Sequence, residues 1–219
     1  MTDGPTTPPP SGLPGRQKSL IDRAKDIVVT PKTEWPVIDA EPATVGGIYT
    51  SYVMILAAIP PVALTIGLLL FMPQAANEVQ AYTRALGLPT ITTTSIIVGG
   101  VVQYLMALAS VYIIGMIIDA LAPTFGSTKD PLKAFKVAAY YPTAAWLAGA
   151  LLLIPGIGMI VMLVGAIYSL YLLYVGLPIL MKTPADKQVG YFVAVLVVAI
   201  VVLGIVNVIT NRIIYGGMF

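Results

Sequence analysis

The chain has no cysteine and no histidine among its 219 residues. Without cysteine there are no disulfides, thiolate metal ligands or thiol nucleophiles. Without histidine there is no Ser-His-Asp relay and no imidazole to hold zinc or haem. Charge is nearly as scarce: Asp, Glu, Lys and Arg make up 10% of the chain, where a soluble domain carries roughly 25%. No paired carboxylates, glycine-rich phosphate loop or metal-ligand cluster stands in the sequence, so no enzyme, cofactor or metal is expected. The net charge is only +2, so any steering of partners must come from local patches, and nucleic acid is not expected among them.

Apolar residues fill the space left: 58% of the chain is hydrophobic and the mean hydropathy is +0.89. This composition predicts an all-α integral membrane protein, because a soluble surface cannot be assembled from it. Crossing the hydrocarbon takes about 20 helical residues, and five apolar runs are long enough: 47–72, 93–122, 132–154, 157–181 and 188–210. A five-transmembrane-helix bundle over 47–219 is therefore expected. No basic stretch, apolar core and cleavage site of a secretory signal peptide opens the chain, so targeting should fall to the first span.

Residues 1–18 are rich in Pro, Gly and Thr and read as a disordered tail. In residues 19–29, "SLIDRAKDIVV", Leu20, Ile21, Ala24, Ile27 and Val28 recur at helical spacing, with Ser19 and Asp22 as a capping pair. The segment 19–46 thus predicts a short amphipathic helix on the membrane surface, drawn there by Arg16, Lys18, Arg23 and Lys25, with Trp35 as an interfacial anchor. The alternative is that the same stripe packs on the rest of the protein. Ten of the twelve Lys and Arg residues fall in the N-terminal segment and the second and fourth connections, leaving Arg84 and Arg212 for the other side. That asymmetry places the N-terminus in the cytoplasm and, after five crossings, the C-terminus outside.

The connections carry helix signals. "KDPLK" offers Asp130 as a cap before Pro131, "KTPADK" offers Thr183 before Pro184, and "PG" at 155–156 predicts a tight hairpin. Pro60 and Pro61 fall within the first span and should kink it, freeing the carbonyls of Leu56 and Ala57, for which Gln103 is a candidate donor. On the third run, Ala144/Ala148 and Ala145/Gly149 allow another helix to approach closely.

Two polar features remain. Asp119 lies ~16 Å from the centre of the second run, at the inner hydrocarbon boundary, in a last helical turn where a negative charge opposes the macrodipole. A contact with Lys133 or Lys136 is the expected compensation, and binding of a lipid headgroup or partner the alternative. Tyr168, Tyr171 and Tyr174 step along the fourth run toward the cytoplasm, and Tyr140 and Tyr141 reach the same leaflet. With Asp119 they form a candidate lipid- or partner-binding face, against the plainer reading of aromatics bonded to nearby carbonyls.

Three blocks, "PKTEWPVIDAEP", "LAPTFGSTKDPLKAFKVAAYYPTAAWLAG" and "IYSLYLLYVGLPILMKTPADKQVGY", run in order through about residues 31–210 and resemble the bacterial branch of the Yip1 family. The resemblance implies a five-helix inner-membrane domain with a cytoplasmic N-terminus. Eukaryotic members contact Rab-type GTPases in vesicle traffic; their DLYGP-type motif has no counterpart here, so that role is not carried over. The function expected is a non-enzymatic organiser or adaptor that works through lipids, neighbouring membrane proteins or further copies of itself. The alternative is a carrier or binder of lipid or a small solute that uses the tyrosine-rich side as a cytoplasm-facing pocket.

Overall fold

The computed structural model describes residues 18–85, 92–154 and 156–215. The expected tail, apart from Lys18, and the hairpin residue Pro155 lie outside the described residues. Every regular element among the described residues is helical. First come α1 (Leu20–Val29) and α2 (Pro31–Ala40). The first apolar run is composite: α3 (Val45–Ile48), one π turn (Tyr49–Val53), α4 (Met54–Leu56) and α5 (Ile59–Ala85). Next, α6 (Thr93–Leu121) leads through a 3-10 turn (Ala122–Phe125) to α7 (Pro131–Tyr140), α8 (Thr143–Ala148) and a second 3-10 turn (Gly149–Leu153). They are followed by α9 (Ile157–Met181) and α10 (Gln188–Tyr215).

Among the described residues, four stretches are long and apolar enough to cross a membrane: Val45–Phe71, Thr93–Phe125, Ile157–Met181 and Gln188–Val208. They correspond to four of the five expected spans. The fifth, 132–154, is not one continuous helix. Pro142 has no N–H to give and ends α7, and the chain restarts as α8 before tightening into the 3-10 turn. Side chains serve the backbone groups that the break sets free. Thr143 Oγ donates to the Tyr140 carbonyl at 2.6 Å, and the Ala145 N–H donates to Ser169 Oγ of α9 at 3.0 Å. The Tyr52 hydroxyl lies 2.8 Å from Thr143 Oγ; because Thr143 has already committed its one proton, Tyr52 is the donor.

Pro60 and Pro61 follow a break in the first run. The chain breaks at 57–58 and α5 begins at Ile59, so Pro60 and Pro61 fall in a first turn, where a missing N–H costs nothing. Gln103 makes no hydrogen bond to Leu56 or Ala57 among the described residues. Its neighbour Tyr104 donates to the Met54 carbonyl at 3.0 Å, while Tyr49 reaches across to the Leu108 carbonyl at 2.7 Å.

In the bundle α6 packs on α5, α7 and α10, and α9 packs on α8, the second 3-10 turn, α7 and α2. Small residues let these elements approach, as their spacing on 132–154 suggested. A Cβ on Gly165 would lie 2.5 Å from Ala148 Cβ. One end of the bundle is tied across the chain: the Thr128 N–H donates to the Met181 carbonyl at 2.8 Å, and Ser127 Oγ donates to Thr183 Oγ at 2.9 Å. Thr183 is therefore occupied across the turn, and it does not cap α10, which begins only at Gln188. Asp130 caps α7 through the Lys133 N–H at 3.0 Å, and Ser19 caps α1 through the Asp22 N–H at 3.2 Å.

Candidate functional site

The chemistry gathers at this tied end, where α1 and α2 dock. α2 starts with Pro31 and carries Pro36 inside it, which hides it from a propensity reading. Its Trp35 is fully buried and lies flat enough on α9 that any side chain at Gly176 would collide with the indole ring. Trp35 is therefore a packing residue and not an interfacial anchor. A buried tryptophan removes 150–250 Å² from solvent, by rough bookkeeping about 4 kcal/mol at ~25 cal/mol per Å².

α1 turns Ala24 and Ile27 inward, as the packing alternative required. Arg23, read from sequence as an attraction for lipid, is only 3% exposed. Its guanidinium is shared between Glu34 and Glu41 and lies 5.7 Å from the Tyr140 ring centroid. Lys18 spans Asp26 at 2.8 Å and Glu34 at 2.6 Å. An unpaired buried charge costs several kcal/mol, so this network fixes where α1 must sit on α2.

Two further lysines fasten α2 to the bundle. Lys133 Nζ lies 2.7 Å from Asp39 Oδ1, and Lys182 Nζ lies 2.8 Å from Asp39 Oδ2. Burial works against the Asp39 carboxylate, but hydrogen bonds from Lys133 and Lys182 outweigh it and hold its pKa below 3.8. Lys136, also 3% exposed, donates to the Ile38 carbonyl at 2.7 Å and to the Glu41 carbonyl at 2.5 Å. It thus caps the C-terminal end of α2, where a positive charge is favoured by the macrodipole. Tyr168 of α9 adds a hydrogen bond to the Val28 carbonyl at the end of α1, 2.7 Å.

A small cleft of about 70 Å³ lies between this network and the mouth of the first run, lined by Ser51 and Tyr52 of the π turn and by Lys136 and Tyr140 of α7. Neither the cleft nor its network was visible in the sequence reading, although the charges of "DRAKD" and "PKTEW" were there to be paired.

The candidate residues from sequence do not converge. Tyr140 packs edge-on against Tyr52, centroids 4.6 Å apart, and faces the cleft. Tyr141 is half-buried. Tyr168 pins α1 and leans on Tyr171 at 5.5 Å, while Tyr171 and Tyr174 remain exposed. Tyr174 meets Phe192 of α10 edge-on at 5.4 Å. Asp119 stands apart from all five. It is 8% exposed, and its Oδ1 meets no hydrogen-bond donor among the described residues. The expected contact with Lys133 or Lys136 is not made, since both lysines serve α2. Beside Asp119 is Tyr191 of α10, whose hydroxyl donates to the Ile118 carbonyl; the sequence reading passed over it. Among the described residues, no His, Cys, Asp or Glu group that could hold a metal ion is formed.

Four membrane-capable helices, held together by small-residue contacts and by polar pairs at one end, define a multi-pass helical membrane protein. The chain belongs to the Yip1 family: the Yip1 domain matches residues 25–206, a stretch that opens within α1 and ends in α10. No curated protein and no solved structure matches the chain.

Proposed function

We propose that this Yip1-family protein is a non-enzymatic organiser of a bacterial inner membrane, presenting α1 and α2 as a rigid cytoplasmic platform while its spans meet lipid and other membrane proteins. The observation that carries this reading is where the polar chemistry has gone. Arg23, Glu34 and Glu41 lock α1 onto α2, and Lys133, Lys136 and Lys182 fasten α2 to the bundle through Asp39 and the Ile38 and Glu41 carbonyls. A platform held at several points presents one surface and spends little entropy on ordering when a partner arrives. The outer face of α1, with Ile21, Lys25 and Val29 exposed in one row, suits contact with the inner leaflet.

The ties at the platform end support a reading with five crossings. The Thr128–Met181 hydrogen bond sets the start of α7 beside the end of α9. Since α9 runs 25 residues, or about 37 Å, the segment 131–156 must travel an equal distance the other way. On this reading the broken α7–α8 segment makes the third crossing, and the pairing of the Tyr140 carbonyl and the Ala145 N–H inside the protein suits it to the bilayer. Positive charge puts the tied end in the cytoplasm.

Two experiments test this. Because the chain has no native cysteine, single cysteines are clean reporters. Thr128→Cys and Asp186→Cys should label only from the cytoplasm and Ile157→Cys only from outside; labelling of Ile157→Cys from the same side as Thr128→Cys would rule out the fifth crossing. Photo-crosslinkers at Lys25 and Val37, used in intact membranes, should give discrete protein adducts. Adducts with lipid alone at both positions would remove the organiser reading.

A further inference from the structure

The cleft at the mouth of the first run has the chemistry of a ligand site, and the case for it is independent of the organiser reading. Its cations are not balanced within the wall. Among the cleft residues Lys18, Arg23 and Lys136 bring positive charge, and Glu41 is the one carboxylate; its Oε2 is already engaged by Arg23. Lys136 is the informative member. Its ammonium is satisfied by two carbonyl oxygens, and no carboxylate among the described residues lies within ion-pair distance of it. Two of its three protons have carbonyl partners, and the carboxylates of Asp39 and Glu41 act on its charge only from beyond ion-pair distance.

The second observation is Tyr140. The residue is 9% exposed and lines the cleft, yet its hydroxyl makes no hydrogen bond among the described residues. The ring is buried, but the hydroxyl oxygen keeps some exposure and is free to donate to an occupant of the cleft. The third is the π turn. Ser51 and Tyr52 lie in the π turn, and a local widening of a helix of this kind recurs where a site is built. Leu20 and Ile48 add an apolar rim. The volume holds one compact oxyanion or a handful of waters.

We propose that this cleft binds a phosphate group, with Lys136 supplying a charge that no carboxylate pairs directly and Tyr140 donating its hydroxyl. The group is presented either by the headgroup of an anionic phospholipid whose chains lie along the first run or by free phosphate. The site shares only Tyr140 with the tyrosine face that the sequence suggested.

The test uses the full chain in detergent and native mass spectrometry, with phosphatidylglycerol, a diacylglycerol of the same chains, and inorganic phosphate as probes. Phosphatidylglycerol should be retained at fixed stoichiometry and diacylglycerol should not. Tyr140→Phe keeps the ring against Arg23 and Tyr52 and removes only the hydroxyl; retention should fall about tenfold, the worth of one hydrogen bond to a charged group. Lys136→Met should lose more, but it also uncaps α2, so its unfolding midpoint is measured alongside and Tyr140→Phe decides. Displacement of the lipid by inorganic phosphate, or a phosphate adduct without lipid, would identify free phosphate as the source. Retention that resists phosphate would identify the headgroup. Equal retention of phosphatidylglycerol and diacylglycerol, no retention of any probe, or unchanged retention in folded Tyr140→Phe would overturn the proposal. None of these results bears on crosslinking from Lys25 or Val37.

Discussion

Arg23 and Asp119 are both buried charges at the platform end of the bundle, and they are built by opposite rules. Arg23 sits in a closed network, with two carboxylates on its fork and an aromatic ring nearby. Asp119 ends a helix with one carboxylate oxygen buried and undonated. A closed network has a single arrangement that satisfies every member, so it determines geometry and fails steeply when a member is removed. A lone carboxylate in a last helical turn determines little. The comparison teaches that in a chain so short of charge, the paired charges specify how elements dock and the single one is an exception to be explained separately.

The largest effect expected is at the closed network. Glu34→Gln leaves Arg23 buried with Glu41 alone and takes a partner from Lys18, so unfolding in detergent should be easier by about 3 kcal/mol or more. Trypsin should also reach Arg23 and Lys25 in α1 while the spans stay intact. If Glu34→Gln shifts the midpoint no more than a substitution at Asp119, the distinction between the two sites is gone.

Packing comes next, because the platform also rests on a contact with no charge in it. Gly176→Ala drives a methyl into the Trp35 ring and should cost about 1–3 kcal/mol, read both from the midpoint and from a red shift of tryptophan emission as Trp35 is displaced. An unchanged midpoint would mean that charge alone docks α2. Tyr168→Phe removes the single hydrogen bond to the Val28 carbonyl, for about 1 kcal/mol. Its effect should be local, seen as faster hydrogen exchange at the end of α1.

A pH series separates the outer clasp from the inner network. The folded pKa of Asp39 lies below its unfolded value of 3.8, so its contribution is fully present above that value and is lost as pH falls through the folded one. The stability difference between the natural chain and Asp39→Asn should be constant from about pH 6 down to about pH 4 and shrink below it. A difference that shrinks well above pH 4 would assign the clasp to some other group.

Much of the architecture could be read before any coordinates. Four of the five runs, the caps at Ser19 and Asp130, the break near Pro60 and Pro61 and the small-residue contacts all follow from periodicity and local backbone chemistry. These are short-range properties, carried by neighbours in sequence. What was hidden is long-range. α2 is helical despite Pro36 because Trp35 and Ile38 are buried against the bundle, and tertiary burial overrides propensity. Pairings such as Lys133 and Lys182 on Asp39 cross about half the chain, and no spacing rule connects them. The tyrosines illustrate the same limit. A helix of known period fixes their directions relative to each other, but whether those directions meet a pocket, a neighbour or lipid depends on helices placed elsewhere.

The smallest effect expected is also the most discriminating for Asp119. Its charge opposes the α6 macrodipole at a cost of roughly 0.3–1 kcal/mol, and among the described residues it has no cation to offset this. Asp119→Asn removes the charge and keeps the shape, so the midpoint should stay level or rise by less than about 1 kcal/mol, in the opposite direction to Glu34→Gln. Tyr191 gives an internal control, since its hydroxyl bonds the Ile118 carbonyl and not the carboxylate, and Tyr191→Phe should act additively with Asp119→Asn. A marked loss of stability in Asp119→Asn would mean that the carboxylate is held by an interaction in the membrane that an amide cannot supply, such as a bound cation. Addition of monovalent or divalent salts would then stabilise the natural chain and leave Asp119→Asn unchanged, and Asp119 would join Arg23 as a charge with a partner.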